Sequence, residues 1–181
     1  MQTATTPIYI VISQTGTILS RILRRITKED YNHVSVSLKS NLDTMYSFGR
    51  KNPYYPFWGG FVQESPNHGT FKRFSNTDVI VLSIPVEDVT YDSIQSFLDA
   101  MCRNKRLYRY NYLGLLLAGL HISYARRNHY YCSEFVKDLL LRFRVVTDRD
   151  FHTFPHPMHF LNLPSGEVIY RGKLRQFSLP E

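Results

Sequence analysis

Cys132 and His33 have the chemistry of a thiol nucleophile and its base. Cys132 lies in Tyr130-Tyr131-Cys132-Ser133-Glu134-Phe135-Val136 and His33 in Tyr31-Asn32-His33-Val34-Ser35. After Cys132, Phe135, Val136, Leu139, Leu140 and Phe143 recur at helical spacing, so the cysteine opens a helix. Free backbone N–H groups and the positive end of the helix dipole favour a thiolate there, and any oxyanion formed beside it. His33 sits in a run that alternates as a strand. Val34, Val36 and Leu38 point one way, while His33, Ser35 and Ser37 point the other. A histidine on a polar strand face is exposed or aimed into a cleft. The sulfur also fits a plainer role, since Cys132 shares its stripe with Phe135 and Val136, and free cysteine is often buried. Local pattern leaves both readings open.

The elements that would position this pair can be taken in chain order. Ile8–Ile12 is β-branched and continuous, as a buried strand is. Ile18, Leu19, Ile22, Leu23 and Ile26 then predict an amphipathic helix with Arg21, Arg24 and Arg25 outside. Turn chemistry at Lys39–Asp43 makes Thr44–Phe48 the return strand of a hairpin, with Ser47 beside His33. Gly49–Gly69 reads as loop. Its segment Asn52–Gly60 holds two prolines, two glycines and four aromatics, and predicts a ligand groove rather than a regular strand. Thr77–Ile84 is a strand ended by Pro85, followed by a helix through Ile94, Phe97, Leu98 and Met101, capped by Asp88 or Thr90. Cys102 extends that stripe as a structural cysteine. Leu113–Leu120 reads as a short, fully buried helix, the Cys132 helix runs to about Arg144, and Val168–Tyr170 is the last strand.

Composition bounds the rest. The chain has 181 residues, 43% hydrophobic and 14% aromatic, which suits one domain over 1–181 with its core at about 8–170. Thirteen tyrosines and twelve phenylalanines favour a mixed α and β architecture. Net charge is +7 and pI about 9.5, but the positive residues are scattered, so no nucleic-acid partner is expected. Two cysteines exclude a disulfide scaffold and paired CxxC zinc sites. His152, His156 and His159 are interrupted by prolines and lack acidic support, so no metal and no cofactor is expected. The apolar runs are too short for a signal-peptide core or a membrane span, so the expected location is cytoplasmic. Composition is silent on oligomeric state.

Three stretches occurring in order then carry a likeness: Asn32-His33-Val34-Ser35, Met45-Tyr46-Ser47-Phe48-Gly49-Arg50 and Tyr131-Cys132-Ser133-Glu134-Phe135-Val136. With histidine before cysteine, the chain resembles the circularly permuted branch of the NlpC/P60 papain-like superfamily. That branch holds the YiiX-like proteins and, more distantly, the lecithin-retinol acyltransferase-like enzymes. The resemblance spans roughly Ile8 to Tyr170. It implies an α+β fold with an antiparallel sheet or partial barrel packed against the cysteine helix. It also implies Cys132 as nucleophile and His33 as general base. The family's third polar residue, which fixes the imidazole tautomer, matches near Ser47, with Asp43 and Glu64 as outside candidates reaching in from loops. Arg50, Tyr54, Trp58 and Tyr131 are the expected substrate contacts. The resulting expectation is a cysteine hydrolase that cleaves an amide or peptide bond through an acyl-enzyme. Two alternatives remain: a lipid-directed acyltransferase or deacylase using the same pair, and a non-catalytic basic binding module.

Overall fold

Strand β1 (Thr5–Gln14) buries both of its faces. Ile8, Ile10 and Ile12 enter one apolar cluster, while Tyr9 and Val11 enter another. A strand buried on both sides must be central, and β1 is. In the computed structural model, which describes residues 4–14, 30–52, 55–120, 122–151 and 155–179, it lies within a six-stranded sheet of order β4-β3-β2-β1-β5-β8. The other strands are β2 (His33–Ser37), β3 (Met45–Asn52), β4 (Tyr55–Glu64), β5 (Asp78–Glu87) and β8 (Glu167–Lys173), and every neighbouring pair is antiparallel. Two short strands, β6 (Arg109–Tyr110) and β7 (His129–Tyr130), pair in parallel beside it. The class is α+β with an antiparallel main sheet.

Helices α2 (Asp88–Arg103) and α4 (Cys132–Arg142) cover the first face. From α2 come Ile94, Leu98 and Met101, and from α4 Phe135, Val136, Leu139 and Leu140, all meeting Val34, Val36 and Phe48 of the sheet. Phe135 is the centre of an aromatic cluster, with ring centroids 5.1 Å from Phe48 and 5.7 Å from Phe61. Short α1 (Gly69–Arg73) sends Phe71 into the second cluster, with Val79, Val81 and Leu174. No helix among the described residues is long and apolar enough to cross a membrane.

Several sequence expectations are corrected here. Strand β5 continues through Pro85 to Glu87, because Pro85 sits directly opposite Pro7 of β1. Neither imide can donate a ladder hydrogen bond, so this position is a non-hydrogen-bonded pair, where proline costs nothing. The stretch expected as loop contains β4, which tolerates Pro56 and two glycines because it is the sheet's edge strand. Gly59 and Gly60 serve close packing. A Cβ at Gly59 would lie 2.7 Å from Tyr110 Cβ, and one at Gly60 would lie 2.6 Å from the Tyr108 carbonyl oxygen. The segment Leu113–Leu120 is largely exposed, although α3 (Tyr112–Ala118) does form there. The expected helix at Ile18–Ile26 lies outside the described residues.

Candidate active site

Glu64 ends β4, and its carboxylate reaches across to His33 at the start of β2. His33 Nε2 lies 3.0 Å from Oε1 and 2.9 Å from Oε2. Ser35, two residues along β2, donates its hydroxyl to Oε2 at 2.6 Å and lies 3.3 Å from the same ring nitrogen. The His33 and Glu64 side chains keep only 14% and 12% of their exposure, so little water competes for these bonds. Gly49 of β3 leaves room for them. A Cβ there would stand 3.4 Å from Glu64 Oε1 and 3.6 Å from His33 Cε1.

Cys132 comes to His33 as the first residue of α4. It is buried, and it is near enough to the His33 ring to act on the ring's protonation. Burial opposes a charged ring at His33, but the Glu64 carboxylate and its hydrogen bonds, together with Cys132, outweigh it. The imidazole is pushed up from 6.5 to about 10. His33 is therefore an imidazolium near neutral pH, the partner a thiolate needs. The N-terminal turn of α4 supplies the rest of a nucleophile's surroundings. Its first intrahelical bond runs from Phe135 N–H to the Tyr131 carbonyl, so the N–H groups of Cys132 and Ser133 precede the helical ladder. Glu134 caps the helix by accepting the Tyr131 N–H at 3.3 Å, and Ser133 ties it to the Pro155 carbonyl at 2.7 Å.

The orienting position expected at Ser47 is corrected. The Ser47 hydroxyl is buried and donates to the Val34 carbonyl at 2.7 Å, which joins β3 to β2. Gly49 rather than Ser47 lies beside His33. Asp43 stays in its turn, bonded to Asn41 at 2.7 Å. Glu64 holds the ring. From sequence it is the weaker candidate, because two prolines and two glycines give the preceding segment the composition of a loop and hide its place on the edge strand.

Of the expected substrate contacts, Arg50 and Tyr131 border the site. Arg50, Lys51, Lys105 and Arg106 line a cleft of about 310 Å³ that also reaches Glu64 and Phe71. Burial lowers the Arg50 guanidinium's proton affinity, with Arg73 acting the same way, and burial with Arg109 and Lys105 does likewise for Lys51. These cations strain against one another, which favours an anion between them. Burial, together with Glu134 and Cys132, raises the Tyr131 hydroxyl. Trp58 is exposed on β4, next to Gly59 and its contacts Tyr110 and Tyr112, and Tyr54 lies outside the described residues. His156 and His159 bond each other's end of a 3-10 turn, through His156 N–H to His159 Nδ1 at 3.2 Å, and His152 lies outside the described residues. Tyr110 was missed. Burial raises its phenol strongly, with Cys132 the next influence, so the hydroxyl stays protonated. Comparison with family models, with curated proteins and with solved structures gave no match, so the site is read from its own geometry.

Proposed function

We propose that this chain is a cysteine hydrolase of the permuted papain-like kind, acting on an amide or peptide bond. The observation that carries this reading is the His33 ring held by the Glu64 carboxylate, with Cys132 at the start of α4 acting on the same ring. Such a line of carboxylate, imidazole and thiol is the general form of an activated nucleophile. The Cys132 thiolate, paired with the His33 imidazolium, attacks the carbonyl carbon and forms a thioester as the leaving amine takes the proton from His33. Water, deprotonated by the now neutral His33, then attacks the thioester, which releases the acid and restores the thiolate–imidazolium pair. Backbone N–H groups at the start of α4 and the Tyr110 hydroxyl are the donors for the oxyanion of each step. The cation-lined cleft beside Glu64 favours a substrate that carries a carboxylate or phosphate near the cleaved bond.

The test is alkylation of Cys132 by iodoacetamide, together with intact-mass detection of an acyl-enzyme from a panel of amide and peptide substrates. The reading expects Cys132 to react much faster than Cys102, and expects His33→Ala to remove that difference. Equal rates at the two cysteines in the native chain, unchanged by His33→Ala, would sink it.

A further inference from the structure

We propose that α3 and the loop that follows it form a docking surface for an anionic lipid bilayer. Leu113 and Leu116 lie three residues apart on α3 and Leu120 follows in the turn that ends it, and they are 47%, 62% and 65% exposed. Ile122 adds an apolar side chain at 50%. The loop is fixed against the helix, because Ile122 N–H donates to the Leu117 carbonyl and Asn111 Nδ2 donates to the Tyr124 carbonyl, both at 2.9 Å. Single exposed leucines need no explanation, whereas several clustered on one element mark an interaction face.

Charge selects the occupant. From Ala100 to Ser133 the sequence has no aspartate or glutamate, yet it carries Arg103, Lys105, Arg106, Arg109, Arg126 and Arg127. Arg109, Arg126 and Arg127 are exposed at the base of the α3 loop, where Arg109 pairs with His129 and Arg126 bridges to the same residue. Leucines flanked by arginines match a bilayer whose headgroups are negative and whose acyl boundary is apolar. A second copy of the chain would set the same cations against each other, so self-association is disfavoured. The surface also borders the site, since a cleft of about 210 Å³ runs between Gly114, Ala118 and Ile122 on one side and Tyr131 and Glu134 on the other.

The experiment is co-sedimentation of the full chain with vesicles of phosphatidylcholine alone and of phosphatidylcholine mixed with phosphatidylglycerol. Binding is expected to the mixed vesicles and not to the neutral ones. Leu116→Ser with Leu120→Ser removes apolar surface without changing charge and should weaken binding roughly tenfold. Arg126→Gln with Arg127→Gln should weaken it by roughly thirtyfold, at about 1 kcal/mol per arginine. All four side chains are exposed, and a thermal melt matching the native chain confirms that each variant folds. Docking does not depend on the thiol chemistry, so Cys132→Ala should bind like the native chain. Absence of binding to the mixed vesicles, or undiminished binding by the leucine variant, overturns the proposal. So does a dimer in solution that the leucine variant dissociates.

Discussion

Both carboxylate oxygens of Glu64 lie within 3.0 Å of a single atom, Nε2 of His33, although 31 residues separate the two in sequence. That contact fixes the ring's orientation and sets its charge.

Glu64→Gln keeps the shape but removes the charge that holds the imidazolium. The rate of Cys132 alkylation at neutral pH should fall by roughly a hundredfold or more, as when a carboxylate that orients a catalytic histidine is lost elsewhere. Ser47→Ala, by contrast, should leave that rate near the native value. Timed alkylation followed by mass spectrometry separates the two.

Ser35 holds Glu64 from the far side through a bond of 2.6 Å to Oε2. Ser35→Ala deletes a hydrogen bond to a charged acceptor, an interaction worth about 1.5–3 kcal/mol. Its effect on alkylation should lie between those of the native chain and Glu64→Gln. Combining the two substitutions should add little beyond Glu64→Gln, because the serine acts through the carboxylate.

The pH dependence follows from His33, whose ring is pushed up to about 10 from an ordinary 6.5. The folded protein therefore holds a proton that the unfolded chain releases between these values. The stability from the charged pair is fully present below about pH 6.5 and is lost as pH rises towards 10. Melting temperature should decline across this window in the native chain and decline less in Glu64→Gln. Histidine NMR should place the His33 midpoint near 10, and at or below 6.5 in that variant.

Gly49 provides a steric test. Its absent Cβ would be in ordinary contact with Glu64 and His33, at 3.4 and 3.6 Å, so Gly49→Ala should keep thiol reactivity. Gly49→Leu would drive a side chain between the two groups. It should lower alkylation at least as far as Glu64→Gln does, while circular dichroism still reports a folded sheet.

Phe135 anchors the cysteine helix. Phe135→Ala removes the hub of an aromatic cluster that is 1% exposed, and should destabilise the protein by about 3–5 kcal/mol. Chemical denaturation measures this directly.

Much of this architecture was legible in the chain. The buried strand at Ile8–Ile12, the alternation from His33 to Ser37 and the helical stripe after Cys132 all carry the periodicity of the elements they form. What failed did so for physical reasons local patterns do not encode. Pro85 reads as a strand end unless its cross-strand neighbour is known to be another proline. Gly59 and Gly60 read as loop because only the approach of Tyr108 and Tyr110 explains them. With β4 unseen, Glu64 had no strand to place it, and the nearer Ser47 took its role. The apolar run Leu113–Leu120 looks buried because hydrophobicity alone cannot tell a core face from an exposed one.

His33, Ser35 and Glu64 all belong to the stretch from β2 to β4, whereas Cys132 arrives only when α4 packs onto that sheet. Synthesis runs from the amino terminus, so the stretch from β2 to β4 leaves the ribosome before α4. On a nascent chain the imidazole and its carboxylate can meet early, while the sulfur that they serve has not yet been translated. A product that ends before α4 would keep His33, Ser35 and Glu64 but lack Cys132, and with it the proposed thiol chemistry.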